Sequence, residues 1–116
     1  MSMIKEPAAD GSGVKHDDGK LPWHLLPIDA LEEVVKVLQF GAAKYTANNW
    51  RGGMQWSRLI RAASGHIFAY YRGEDSDPET GYSHLAHAVC CLLFLLSLRR
   101  LYPQGDDRAE HQGLPE

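Results

Sequence analysis

PETGYSHLAHAVCCLLFLLSLRRL, residues 78–101, is the stretch whose reading decides the fold. Residues 88–98 are apolar almost without interruption, and Arg99 and Arg100 close the run. A membrane-crossing helix needs about 20 such residues, so this shorter run reads as the buried helix of a globular domain. A helix apolar nearly all round belongs at the centre of its fold. Pro103 ends it. Asp77 followed by Pro78 reads as a cap and a first helical residue, which predicts a third helix over 78–101.

Upstream, Leu59, Ile60, Ala63, Ile67, Tyr70 and Tyr71 recur at helical spacing, with His66 at the edge of that face. They predict a second helix over 57–72, stopped by Gly73. Leu31, Val34, Val35, Leu38 and Ala42 predict a first helix over 29–45, with Asp29 as its N-cap. The opposite face of that helix, Glu33, Val37, Phe40 and Lys44, is polar at its ends and apolar between. Residues 46–55, with Asn48-Asn49 and Gly52-Gly53, form a loop. The proline-bounded LPWHLLP, residues 21–27, reads as an extended strap. The fold class is therefore all-α, with three main helices. These cannot cover both apolar faces of the first helix and all of the third, so a homo-oligomeric helical bundle is expected.

The 116 residues suit one domain, with a flexible arm over 1–20, the helical domain over 21–102 and a polar, disordered tail over 103–116. The net charge of −3 supplies no basic excess for binding a nucleic-acid polymer. Cys90 and Cys91 are adjacent within the apolar run and read as reduced core residues of a cytoplasmic protein. Residues 1–13 lack the apolar segment of a signal peptide.

Three groups of residues carry candidate chemistry. Glu74, Asp75, Asp77 and Glu79 place four carboxylates within six residues. Such groups repel one another unless a cation sits among them, and hard oxygen ligands suit Mg²⁺ or Mn²⁺. A solvated loop that caps a helix is the plainer reading. His84 and His87 lie three apart on one helix face, and His66 on the preceding helix could face them. Lys20, Lys44, Arg51, Arg58 and Arg61 are cations able to neutralise phosphate oxygens, or simply solubilising. Tyr45, Trp50 and Trp56 are rings able to stack on a base, with Asn48 or Asn49 at its edge. Glu32-Glu33 near a helix start also suits the helix dipole. Neither a GxxxxGK[ST] phosphate loop nor GxGxxG occurs, and His16-Asp17 lies in a Gly-rich arm and not on a helix.

Phe40-Gly41-Ala42-Ala43-Lys44-Tyr45, Asn49-Trp50-Arg51-Gly52, Gly73-Glu74-Asp75, Asp77-Pro78-Glu79-Thr80-Gly81 and His84-Leu85-Ala86-His87-Ala88 together resemble one phage-associated family. This is the dATP/dGTP diphosphohydrolase family, MazG-like and including the MazZ type. The resemblance runs over roughly residues 15–96. It implies an all-α nucleotide pyrophosphohydrolase fold, assembled as a homodimer or homotetramer. It also implies hydrolysis of a purine deoxynucleoside triphosphate to its monophosphate with Mg²⁺ or Mn²⁺. The general MazG pattern carries EExxE on one helix and ExxD on the next. Here Lys36 stands where the third Glu would fall, while Glu74 and Asp77 keep the ExxD spacing. His66, His84 and His87 lie outside that pattern and imply a rebuilt metal site or supporting roles.

On this reading water attacks the α-phosphorus and pyrophosphate leaves. Glu33, Glu74, Asp77, Glu79 and His84 are the expected metal ligands. Glu33, Glu74, Asp77 and His87 are the expected catalytic groups, with a carboxylate or His87 accepting the proton. Lys20, Lys44, Tyr45, Asn49, Trp50, Arg51 and His66 are the expected substrate contacts. Two alternatives stand beside it. An HD-type triphosphohydrolase would use His66, His84 and His87. A non-catalytic helical interaction module would use the acidic loop as a partner surface.

Overall fold

Each apolar repeat forms a helix in the computed structural model, which describes residues 9–109. Helix α1 is Ile28–Lys44, α2 is Trp56–Tyr71 and α3 is His84–Leu101. Single 3₁₀ turns lie at Trp23–Leu25, Asn49–Gly52 and Pro103–Gly105. Among the described residues there is no strand, and one isolated bridge joins Ser76 to Ser83.

Helix α3 packs between α1 and α2, most extensively on α2. Val34 and Val37 of α1 meet Ala86 and Cys90 of α3, joined by Leu38, Tyr82 and Phe94. Trp56 and Leu59 of α2 meet Leu98, whose side chain is fully buried. Residues early in α2 thus touch residues late in α3, and the two helices form an antiparallel hairpin. The buried stripe of α2 is Trp56, Leu59 and Ala63, whereas Ile60, Ile67, Tyr70 and Tyr71 are exposed. The expected apolar face is therefore rotated, and His66 falls on the inner stripe, one turn beyond Ala63. On α1 the rotation brings Val37 inward and leaves Val35 exposed. Both cysteines are free, and Cys90 is buried with its thiol on the Val34 carbonyl at 3.5 Å. Burial, helped by the neighbouring Cys91 thiol, pushes Cys90 up to about 12.

Three local expectations are corrected. The third helix begins at His84, not at Pro78. Gly81 takes a φ of 75°, which a helix cannot continue through, and Ser83 caps α3 by accepting the Leu85 N–H at 3.1 Å. Residue 29 is not the cap of α1: Pro27 takes that position, and Asp29 lies in the first turn, where its charge suits the helix dipole. The strap over 21–27 is interrupted by a 3₁₀ turn at Trp23–Leu25, and its Leu21, Trp23 and Leu25 are exposed.

The C-terminal segment is docked through residue 108 and is not a free tail there. Trp56 Nε1 donates to the Tyr102 carbonyl at 3.2 Å, and the Arg108 guanidinium covers the Trp56 ring. Asp107 accepts the Ser57 N–H at 2.9 Å and the Ser57 hydroxyl, so it caps α2 from 50 residues away. The Tyr102 ring lies tight against two glycines. A Cβ on Gly53, whose φ is 96°, would come within 2.5 Å of that ring, and one on Gly105 within 2.6 Å. Residues 110–116 of the expected tail, and 1–8 of the expected arm, fall outside the described residues.

Helix α3 is long and apolar enough to cross a membrane by length and composition alone. Its core positions are instead taken by α1 and α2. It carries the most buried residues of the three helices. Yet Leu85, Val89, Leu92, Leu93 and Leu96, spaced along one further face, remain exposed in the single chain.

Candidate functional site

The rotation of α2 sets His66 against the first turn of α3. His66 Nδ1 lies 2.9 Å from His84 Nδ1. Its ring also stacks on His87, with centroids 4.6 Å apart and planes 11° from parallel. The loop between the helices closes over this group by its own hydrogen bonds. Asp77 Oδ1 accepts the Glu79 N–H at 2.8 Å and the Thr80 N–H at 3.3 Å, while the Asp77 N–H donates to the Tyr82 carbonyl at 2.8 Å. The His84 N–H donates to the Asp75 carbonyl at 3.0 Å. These bonds use one oxygen of Asp77 and leave Oδ2 facing His66 Nδ1 at 3.9 Å. Thr80, aligned by the same turn, holds His87 Nε2 at 2.7 Å.

His66, Asp77 and His84 each offer a ligating atom, and these atoms lie within 4.8 Å of one another. Two aromatic nitrogens and a carboxylate oxygen are a donor set that fits a divalent cation. His84 is the only buried polar or charged side chain among the described residues, and its Nε2 meets Glu74 Oε1 at 2.6 Å. Burial is the main influence that lowers His66 and His87, with neighbouring imidazoles adding to it and Asp77 opposing it. Both rings are thereby favoured in the neutral form that carries a free lone pair.

The group opens into a cleft of about 540 Å³ lined by Arg58, Arg61, Ala62, Gly65, His66, Asp77 and His84. Residues 58, 61, 62, 65 and 66 follow the helical repeat, so one face of α2 presents two guanidiniums, then two small residues, then the histidine. That spacing was legible in the chain but unremarkable without a wall opposite it.

The expected site residues separate into those that meet here and those that do not. His66, Asp77 and His84 line the cleft, Glu74 backs His84, and His87 stacks on His66. The four loop carboxylates are not one cluster. Glu79 pairs with Lys44 at 2.6 Å, and Asp75 lines a second cleft of about 390 Å³ with Glu33, Lys36 and Tyr70. The Lys44 ammonium is held above its ordinary range mainly by Glu79 and also reaches over the Tyr45 ring. Trp50 stacks on Phe94 at 4.6 Å and carries the Arg51 guanidinium at 4.8 Å, so its ring already has partners within the chain. Arg51 also donates to Asn48 Oδ1 at 3.2 Å. The Asn49 N–H closes a turn on Thr46, and the Lys20 N–H closes one on Asp17. Tyr45 keeps an exposed ring. Arg58 and Arg61, not Lys44 or Arg51, are the cations beside the histidines.

The chain is 38% identical over 104 residues to a dATP/dGTP diphosphohydrolase of Salmonella phage PMBT28. The match takes in 90% of this chain and 36% of that one, so the chain spans about a third of the relative's length. No solved structure matches it. The model of the dATP/dGTP diphosphohydrolase N-terminal family matches residues 10–108, which include every residue of the cleft. Over that span the chain belongs to the dATP/dGTP diphosphohydrolase N-terminal family.

Proposed function

We propose that this domain hydrolyses purine deoxynucleoside triphosphates, dGTP or dATP, to the monophosphate and pyrophosphate with a divalent cation, Mg²⁺ or Mn²⁺. The observation that carries the reading is the cleft itself: a cation-fitting donor set bordered by two arginines on one helix face. The name of the phage relative supports the substrate class.

Arg58 and Arg61 bind the phosphate chain, because guanidinium forks match phosphate oxygens in shape and charge. His66, Asp77 and His84 would hold the cation, which would supply charge neutralisation for the phosphate chain. Hydrolysis of this type rests mainly on positioning and charge stabilisation. His87, whose ring stacks on His66, is the proposed proton acceptor. It is held at Nε2 by Thr80 and stays neutral beside the donor set. The exposed Tyr45 ring is the remaining stacking platform for a purine, next to the Lys44–Glu79 pair. The exposed stripe on α3, Leu85 to Leu96, supports assembly as a homodimer or homotetramer.

Product analysis tests the reading. Incubation of dGTP with the protein and Mn²⁺ gives dGMP and pyrophosphate. Deoxyguanosine and tripolyphosphate would instead support the HD-type triphosphohydrolase. One observation keeps that second reading in view: His66, His84 and His87 do come together beside Asp77. No turnover of any nucleotide with either cation would leave a helical interaction module.

A further inference from the structure

The donor set has a chemistry that discriminates between cations. We propose that His66, Asp77 and His84 form a site for a first-row transition ion, such as Mn²⁺, Co²⁺ or Zn²⁺, in preference to Mg²⁺, with Glu74 as the positioning residue for His84. This deepens the hydrolase reading by naming the ion class and the residues that hold it.

The first observation is the spacing of the two nitrogens. Metal–imidazole bonds of about 2.0–2.1 Å, meeting at roughly 90–110°, separate their nitrogens by about 2.9–3.4 Å. His66 Nδ1 and His84 Nδ1 stand 2.9 Å apart, already inside that window. In the structure the two nitrogens share a hydrogen bond on the wall of the cleft, and a cation taken up there would displace its proton.

The second observation is the far side of His84. Its Nε2 is 2.6 Å from Glu74 Oε1, and an ionised carboxylate only accepts. Nε2 is thereby engaged by Glu74, and Nδ1 is the His84 atom turned toward His66. A carboxylate behind a ligating imidazole fixes both its tautomer and its orientation. His84 is buried, so this orientation is also held by packing.

The third is the division of labour within Asp77. Oδ1 is committed to two backbone N–H groups, which anchors the side chain, while Oδ2 faces His66. Mg²⁺ favours oxygen ligands and keeps much of its water shell. Two imidazoles and one carboxylate suit a borderline transition ion and leave further positions open to the cleft.

The test uses Co²⁺ as the probe and the whole chain without nucleotide, so it is independent of turnover. Visible absorption is followed as Co²⁺ is added to the wild type, Glu74→Gln, His66→Ala and Glu33→Gln, with circular dichroism to check each fold. One Co²⁺ per chain is expected, and a hundredfold excess of Mg²⁺ should leave it bound. Glu74→Gln keeps the size of an exposed side chain and should weaken Co²⁺ binding about 10- to 100-fold. His66→Ala should abolish the absorption band. The inference is overturned if Co²⁺ does not bind, or if equimolar Mg²⁺ displaces it. It is equally overturned if Glu74→Gln binds as the wild type does, or if binding is lost in Glu33→Gln and kept in folded His66→Ala. The hydrolase reading fails separately, by absence of pyrophosphate release from protein that has bound its ion.

Discussion

Replacing Gly65 by alanine separates the stability of α2 from the use of its cleft. Gly65 lies inside the helix, where glycine is among the least favourable residues, and it lines the cleft between Arg61 and His66. A Cβ built there meets no heavy atom within 4 Å, and the backbone is not in the positive-φ region. Nothing within the chain therefore requires glycine. Alanine should stabilise the fold by about 0.4–1 kcal/mol, chiefly by restricting the unfolded chain. For a domain of this size that corresponds to a rise in Tm of roughly 2–8 °C. The same methyl projects into the space assigned to the phosphate chain, so KM for dGTP should rise severalfold. Gly41 of α1 supplies the control. It also meets nothing within 4 Å, and it does not line this cleft. Gly41→Ala should raise Tm by a similar amount with KM unchanged. Calorimetry and steady-state pyrophosphate release measure both quantities on each variant. A fall in Tm for Gly65→Ala would show that something packs against this face. A higher Tm with unaltered KM would refute the placement of substrate in the cleft.

Three further outcomes are expected. Arg58→Ala and Arg61→Ala should each raise KM for dGTP more than Lys44→Ala does, since Lys44 is engaged with Glu79; equal effects in steady-state kinetics would contradict this. Leu98→Ala removes the fully buried side chain beside Trp56 and Leu59 and should cost about 2–5 kcal/mol, read as a lower midpoint in urea with the slope unchanged. Asp107 is held below its ordinary value chiefly by the Ser57 hydroxyl, with the Ser57 N–H also contributing, so its contribution is present above the unfolded carboxylate pKa of about 3.9 and lost as pH falls through the lower folded value. Asp107→Asn should lower Tm at neutral pH and flatten its decline between about pH 5 and 2, whereas a parallel decline would exclude the cap.

The apolar repeats alone determined three helices and their order. Helical periodicity is a local signal, and the observed ends of α1 and α2 fall within one residue of the expected ones. The same local logic failed at 78–83, because Asp77-Pro78 imitates a helix start while Gly81 and Ser83 set the real one. It failed again at Asp107, whose capping partner is 50 residues away. For the site, the chain showed which residues have chemistry, including the histidine pair on α3 and the possibility that His66 faces it. Partners in space decided the rest. Glu79 turns to Lys44 of α1, Glu74 turns to His84, and Trp50 stacks on Phe94 with Arg51 over its ring. A side chain in a loop points where an oppositely charged or apolar neighbour stabilises it. That neighbour is set by how α1 and α2 rotate against α3, so four carboxylates adjacent in sequence could be sent to different partners only by the packed structure.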